Sequence, residues 1–214
     1  MKKGCILCLL ISVISLPLIA QNIIYSNLKE LLTQHGDTTA VLRVEKRSRN
    51  QIVLTGGADY RITAGDDESM CRRLKKRCFA VRDEKGNLYL NCRKLRYKKL
   101  RFGAWYAPAV QLGKNIYFCA MPLGSVIGGN FVEEDDVKLG GNIGDALAAS
   151  SLVTKRVCYE LNGETGKVDF LGKDRMLQLL KNYPELKQAY LKDDSQEAKH
   201  IFKYLLELQN KQKK

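Results

Sequence analysis

Apolar residues recur along this chain at two spacings, and the change between them organises it. From Val41 to Leu171 they alternate or run in short blocks bounded by Gly, Asn, Asp and Pro. That is the period of strands joined by turns. From Met176 onward they fall three and four residues apart, which is the period of a helix with one buried stripe.

Taken in order, the pattern predicts a short helix over Asn27–His35, capped by Ser26, with Leu28, Leu31 and Leu32 on one side and Gly36-Asp37 at its end. A strand over Thr39–Glu45 turns through Arg47–Asn50 into a return strand, Gln51–Thr55. Gly56-Gly57 breaks the pattern, and Ala58–Thr63 forms a further strand with Tyr60 and Ile62 on one face. The turn Ala64–Asp67 supplies a cap for a helix over Glu68–Arg77. Met70 and Leu74 are spaced i,i+4 there, and acidic and basic ends match the helix dipole.

Hairpins follow. Phe79–Asp83 pairs with Leu88–Cys92 across Glu84–Asn87, and Ala109–Leu112 pairs with Ile116–Met121 across Gly113–Asn115. Between them, Arg93–Phe102 interleaves basic residues with Leu95, Tyr97, Leu100 and Phe102, and Pro108 is expected to bend its strand or place it on an edge. Another hairpin joins Lys155–Leu161 to Lys167–Leu171 across Asn162–Gly166. Return strands open on a turn asparagine at Asn50, Asn87 and Asn115, which is shared turn chemistry. At the C-terminus, Asp174 caps Met176–Asn182, Pro184 starts a helix through Leu191, and Ser195 caps a third through Leu208. Ile201, Tyr204, Leu205 and Leu208 form its apolar stripe.

The expected fold is α+β: mainly antiparallel β-hairpins forming a sheet or partial barrel, flanked by short N-terminal and C-terminal helices. The expected division is a signal peptide over 1–20, a β-rich domain over 21–172, and a C-terminal helical segment over 173–214 packed on the same domain.

The N-terminus bears on compartment. Lys2 and Lys3 precede an apolar run from Ile6 to Leu10 and a mostly apolar stretch ending at Ala20. A charged start, a short apolar centre and a small final residue make a cleavable secretory signal; the run is too short for a membrane span. With cleavage after Ala20, Gln21 stands where a lipoprotein would need Cys. The chain is therefore expected to be exported, periplasmic or secreted, with no lipid anchor and no membrane span after cleavage.

Cys71, Cys78, Cys92, Cys119 and Cys158 remain after cleavage. Export permits disulfides, but an odd number leaves at least one thiol free or paired with another chain. Buried free thiols in strands are the plainest reading of Cys119 and Cys158, and the sequence leaves open which of the five form disulfides. Across the Phe79–Cys92 hairpin, Cys78 and Cys92 stand one residue out of register, so bridging them needs a bulge. Cys71 with Cys78 is the other local option.

Charge is concentrated. Between Cys71 and Arg101 there are thirteen Lys and Arg against Asp83 and Glu84, an excess that equals the net charge of the whole chain after cleavage. A basic stretch of this density suggests an anionic partner; its plainest reading is a solvated outer face. Arg93, Lys94, Arg96, Lys98, Lys99 and Arg101 are the candidate ligand-binding residues, with Tyr97 and Trp105 as stacking groups.

Other motifs carry less. Gly140–Asp145 lacks the Lys-Ser/Thr of a phosphate-binding loop, and Asp145 repels anions. Glu133–Asp136 is a run of carboxylates without the staggered spacing calcium requires; it reads as a solvated loop or as a partner for the basic face. No metal site and no cofactor is expected, and there are no catalytic residues to name. The two histidines, His35 and His200, lie near opposite ends of the chain, and no G-x-S-x-G elbow is present.

At LTGGADYRIT (Leu54–Thr63), RLKKRCFAV (Arg73–Val81), NLYLNCRKLRYKKLRFGAWYAPA (Asn87–Ala109), IYFCAMPLGSV (Ile116–Val126) and YPELKQAYLK (Tyr183–Lys192), the chain resembles an uncharacterised family, a domain of unknown function in small exported proteins of Gram-negative gut bacteria. The resemblance covers most of the chain. It implies export and brings no activity and no site residue.

The resulting expectation is an exported, non-catalytic binding protein whose basic hairpin face takes an anionic envelope component, a polysaccharide or lipopolysaccharide. In an exported chain these are favoured over nucleic acid. The alternatives are a structural or assembly subunit docking on an acidic protein partner, and a hydrolase of envelope polymers, which would need two close carboxylates in a deep cleft.

Overall fold

The computed structural model describes residues 21–39, 41–48, 50–52, 57–98, 100–120, 156–193, 195 and 197–213. The expected signal segment, the acidic run Glu133–Asp136, the glycine-rich Gly140–Asp145 stretch, Lys99 and the end of the expected Gln51–Thr55 strand lie outside them.

The strands are β1 (Asn22–Tyr25), β2 (Asp37–Thr39), β3 (Arg43–Lys46), β4 (Tyr60–Thr63), β5 (Ala80–Arg82), β6 (Leu88–Asn91), β7 (Arg96–Tyr97), β8 (Leu100–Arg101), β9 (Tyr106–Leu112), β10 (Asn115–Ala120), β11 (Val157–Leu161) and β12 (Val168–Phe170). The helices are α1 (Leu28–Thr33), α2 (Glu68–Lys76), α3 (Lys173–Leu179), α4 (Pro184–Asp193) and α5 (Ala198–Gln212), with a 3-10 turn at Cys92–Lys94.

Pairing is antiparallel throughout. The main sheet runs β12-β11-β10-β9-β6-β5-β1-β2, with β3 on β4 and β4 on β9; β7 and β8 form a separate two-stranded sheet. This is the expected α+β architecture with an open sheet. The β5–β6, β9–β10 and β11–β12 hairpins fall on their expected strands, but β5–β6 pairs Ala80 with Leu90, one residue away from the register expected for it.

Side-chain alternation gives the sheet two apolar faces. Tyr25, Leu90, Ala107, Ala109, Phe118, Tyr159 and Leu161 point to one face, where Leu95, Tyr97 and Phe102 of the β7–β8 region cover them. Phe102 meets Tyr159 edge-on at 4.7 Å between ring centres. On the other face, Val110, Tyr117 and Cys119 lie under α3, α4 and α5 through Met176, Tyr190, Ile201, Tyr204, Leu205 and Leu208. The stripe read on α5 is thus the stripe that docks. At the far end of this face, Leu74 of α2 meets Ile24, Ile62, Val81, Tyr89 and Tyr106. The last carbonyls of α2 find buried partners: Asn91 and Tyr106 both donate to Leu74 O, at 3.1 and 2.7 Å, and Asn91 also donates to Cys78 O.

Several expectations are corrected. Asn27, not Ser26, caps α1: its Oδ1 accepts from the Glu30 N–H, and the Glu30 carboxylate accepts in return from the Ser26 N–H. Thr39–Glu45 is two strands, β2 and β3, because the chain leaves one neighbour for another between them. The partner of β3 is β4; Gln51 and Ile52, expected in a return strand, are helical. Asp174 and Ser195 are not caps. Gly172 and Glu197 occupy those positions with no side-chain capping bond to the helix, and Ser195 bonds His200 Nδ1 at 2.6 Å.

Pro108 sits inside central strand β9, opposite Tyr89. Cys92 N–H donates to Trp105 O, so odd residues of β9 address β6 and Pro108 turns its missing donor to the other side. There β9 changes partner, from β10 up to Ala109 to β4 at Tyr106, so the proline falls where the β9–β10 ladder ends. Finally, Cys119 and Cys158 are not free thiols: they stand directly opposite in the β10–β11 register and form a disulfide with Cα atoms 4.1 Å apart. Cys71, Cys78 and Cys92 are free. Cys78 and Cys92 belong to opposite faces of the sheet, so neither a bulge nor slippage would join them.

Candidate functional site

The 3-10 turn after β6 is capped by Asn91, whose side chain accepts from the Arg93 N–H. It lifts the chain off the main sheet and starts the β7–β8 hairpin. Tyr97 points inward and is 5% exposed, its ring packed on Tyr159 at 5.5 Å. Burial, and secondarily Asp169, push its hydroxyl pKa up. Tyr97 is therefore an anchor of the hairpin and does not offer a stacking face; this corrects its expected role.

With Tyr97 turned in, alternation turns its neighbours out. Arg93, Lys94, Arg96, Lys98 and Arg101 are exposed. Arg96 stands directly opposite Arg101, a like-charge pair that weakens a hairpin. Lys98 turns the hairpin at φ 51°, a left-handed conformation unfavourable for a side chain with a Cβ, and its ammonium lies 5.6 Å from the Tyr97 ring centre.

Lys94, Leu95, Arg96 and Lys98 line a pocket of about 350 Å³, closed on its other side by Gly166, Lys167, Val168 and Asp169 of the β11–β12 hairpin. Residues from segments about seventy apart in sequence, four of them basic and one acidic, thus border one concavity. Lys167 and its neighbours read only as an ordinary hairpin; their position at the pocket is a product of sheet order, with β12 at the edge nearest β7.

Trp105 belongs elsewhere. It is half-buried with φ 80°, and its ring lies among Arg47, Arg61 and Lys75 at 5.3, 5.7 and 5.9 Å. Arg47 is buried, donating to Ala58 O at 2.7 Å and to Gln51 O at 3.0 Å; burial lowers its pKa, against the pull of Asp59. Asp59 in turn is clasped by the Arg156 guanidinium. The Trp105 ring therefore braces cations that tie β3, β4 and α2 together, away from the pocket.

A further polar cluster surrounds Glu160 under α3. Arg175 donates twice to its carboxylate, each at 2.8 Å, and Tyr117 and Asn115 donate at 3.0 and 2.5 Å. Every carboxylate oxygen is used, so this cluster fastens α3 to the sheet. Among the described residues, no group of three His, Cys, Asp or Glu is placed to hold a metal ion, and no helix is long and apolar enough to cross a membrane.

Comparison with known proteins gives a match of residues 23–212 to a family described as Family of unknown function (DUF6563). No curated protein and no solved structure matches the chain.

Proposed function

Since the chain belongs to that family of unknown function, we propose a reading drawn from the site itself: an exported, non-catalytic binding protein that holds an anionic envelope component, a polysaccharide or lipopolysaccharide, at the pocket between the β7–β8 and β11–β12 hairpins. One observation carries it. Lys94, Arg96, Lys98 and Lys167 line one concavity, at a hairpin that keeps Arg96 opposite Arg101 and Lys98 in a left-handed turn. Local stability argues against each of those choices, and such departures gather where a protein serves a ligand.

Two observations support export. The Lys2-Lys3 start and its short apolar run have the form of a cleavable signal. The Cys119–Cys158 disulfide belongs to oxidising compartments. We place the protein in the periplasm or outside the cell.

The test is elution from an anionic polysaccharide column in a salt gradient. The Lys94→Gln/Arg96→Gln/Lys98→Gln/Lys167→Gln variant is expected to elute at much lower salt than the wild type. A control with Lys29, Lys181, Lys192 and Lys211 changed to Gln carries the same net charge and is expected to stay near the wild type. If both variants shift alike, retention reflects overall charge and the pocket reading fails. If neither shifts and one protein co-purifies stoichiometrically, the chain is an assembly subunit.

A further inference from the structure

The pocket walls are strand edges. Four consecutive residues, Gly166 to Asp169, line it, and side chains that alternate between faces cannot all do so; the edge of β12 forms the wall. Hydrogen bonds give the direction of each backbone group. Asn162 N–H donates to Lys167 O at 2.9 Å and Leu171 N–H to Cys158 O at 3.0 Å. The odd residues of β12 therefore address β11, and the N–H and C=O of Val168 point away from it.

The same holds across the pocket. Phe102 N–H donates to Leu95 O, so Leu95 and Tyr97 address β8 while the N–H and C=O of Arg96 point outward. β12 ends the main sheet, β7 belongs to the separate one, and no strand pairing joins them among the described residues. Two strand edges thus border one concavity, each with a donor and an acceptor, and four of its lining residues are basic.

From this we infer the class of ligand: the pocket takes one acidic sugar unit, a pyranose bearing a carboxylate or a phosphate. The inference rests on the reading of this pocket as an anion site. A bare anion uses the cations and N–H groups but is repelled by the Arg96 and Val168 carbonyls and by Asp169. A neutral sugar uses the carbonyls and N–H groups but leaves four cations unanswered. An acidic sugar satisfies both: its acid group meets Lys94, Arg96, Lys98 and Lys167, and its hydroxyls donate to the carbonyls. About 350 Å³ is at the small end of ligand pockets, which is room for one sugar ring.

The test is calorimetric titration of the protein, lacking only residues 1–20, with glucuronate, glucose 6-phosphate, glucose, acetate, inorganic phosphate and a tri-glutamate peptide. The two acidic sugars are expected to bind at least tenfold more tightly than glucose, acetate, phosphate and the peptide. Their ranking distinguishes carboxylate from phosphate as the native acid group. Lys94→Gln/Lys98→Gln is expected to bring the acidic sugars down to the level of glucose. Val168→Pro removes a donor that serves no ladder, and is expected to narrow the gap between glucose 6-phosphate and phosphate. Phosphate or the peptide binding as tightly as the sugars overturns the inference. So does column retention in the absence of any small-ligand binding, which would leave the polyanion reading standing; loss of both overturns that reading as well.

Discussion

Glu160 shows how a single residue ties acid stability to the fold. Burial alone would raise its pKa, but the Arg175, Tyr117 and Asn115 donors outweigh that and hold it below the ordinary 4.5. A depressed folded-state pKa means stability that is present above the ordinary carboxylate range and is lost as pH falls through the lowered value. Tyr117 has the opposite sign: burial first, then Glu160, push it to about 12, so its contribution holds below its ordinary value of 10 and is lost as pH rises toward 12. Arg175→Met should cost about 2 kcal/mol at pH 7, a value reduced for the partial exposure of Arg175, and clearly less at pH 3. Urea unfolding at the two pH values measures this; equal losses would mean that Arg175 acts through packing alone. At Lys98 the backbone and the proposed ligand make opposing demands. Lys98→Gly should relieve the left-handed turn, raising stability by up to about 1 kcal/mol, while lowering the salt needed for elution. Thiol accessibility gives a third check. Burial pushes Cys78 to about 11 and Cys92 to about 12, and both are enclosed, whereas Cys71 is half-exposed. In protein lacking residues 1–20 and without reductant, a thiol reagent should count one reactive cysteine in the folded state and three in denaturant.

Among the elements, those that depend on neighbouring residues were legible in the sequence. The β5–β6, β9–β10 and β11–β12 hairpins carry their turns with them, and α2 carries its cap at Asp67 and its stripe at Met70 and Leu74. Elements that depend on distant partners were not. Gln51 and Ile52 have strand-forming neighbours, yet β3 takes β4 as its partner. Pro108 reads as an edge residue because the exchange of neighbours along β9 has no local sign. The candidate site divides in the same way. The outward cations of Arg93–Arg101 follow from composition and alternation. The inward turn of Tyr97, the separate setting of Trp105 and the arrival of Lys167 follow from packing. The disulfide was missed because Cys119 and Cys158 are thirty-nine residues apart, and only strand order makes them opposite. In the chain-entropy account, closing a loop of that length contributes about 4 kcal/mol. Cys158→Ala, or reduction of the wild type, should therefore lower the melting temperature by roughly 10 °C. A shift of a degree or two would show that the two strands hold each other without the bond.

Across the whole molecule, the sheet is a platform that separates two duties. Its helix-covered face carries Glu160, the disulfide and the α5 stripe, all committed to stability. Its other face, closed by the Tyr97 and Phe102 rings, leads to the pocket at one end of the strand order. Changes under α5 should therefore alter melting without altering ligand selectivity, and changes at Lys94, Arg96 or Lys167 should do the reverse.

The cross-link between β10 and β11 has one more consequence. β10 ends at Ala120 and β11 begins at Val157, and the two strands are bolted together at Cys119 and Cys158. Closure entropy grows only slowly with length, so the bond would hold these strands opposite each other for a connection of almost any length. The cross-link is in that sense a clasp, which fixes the alignment of two strands independently of the chain that joins them.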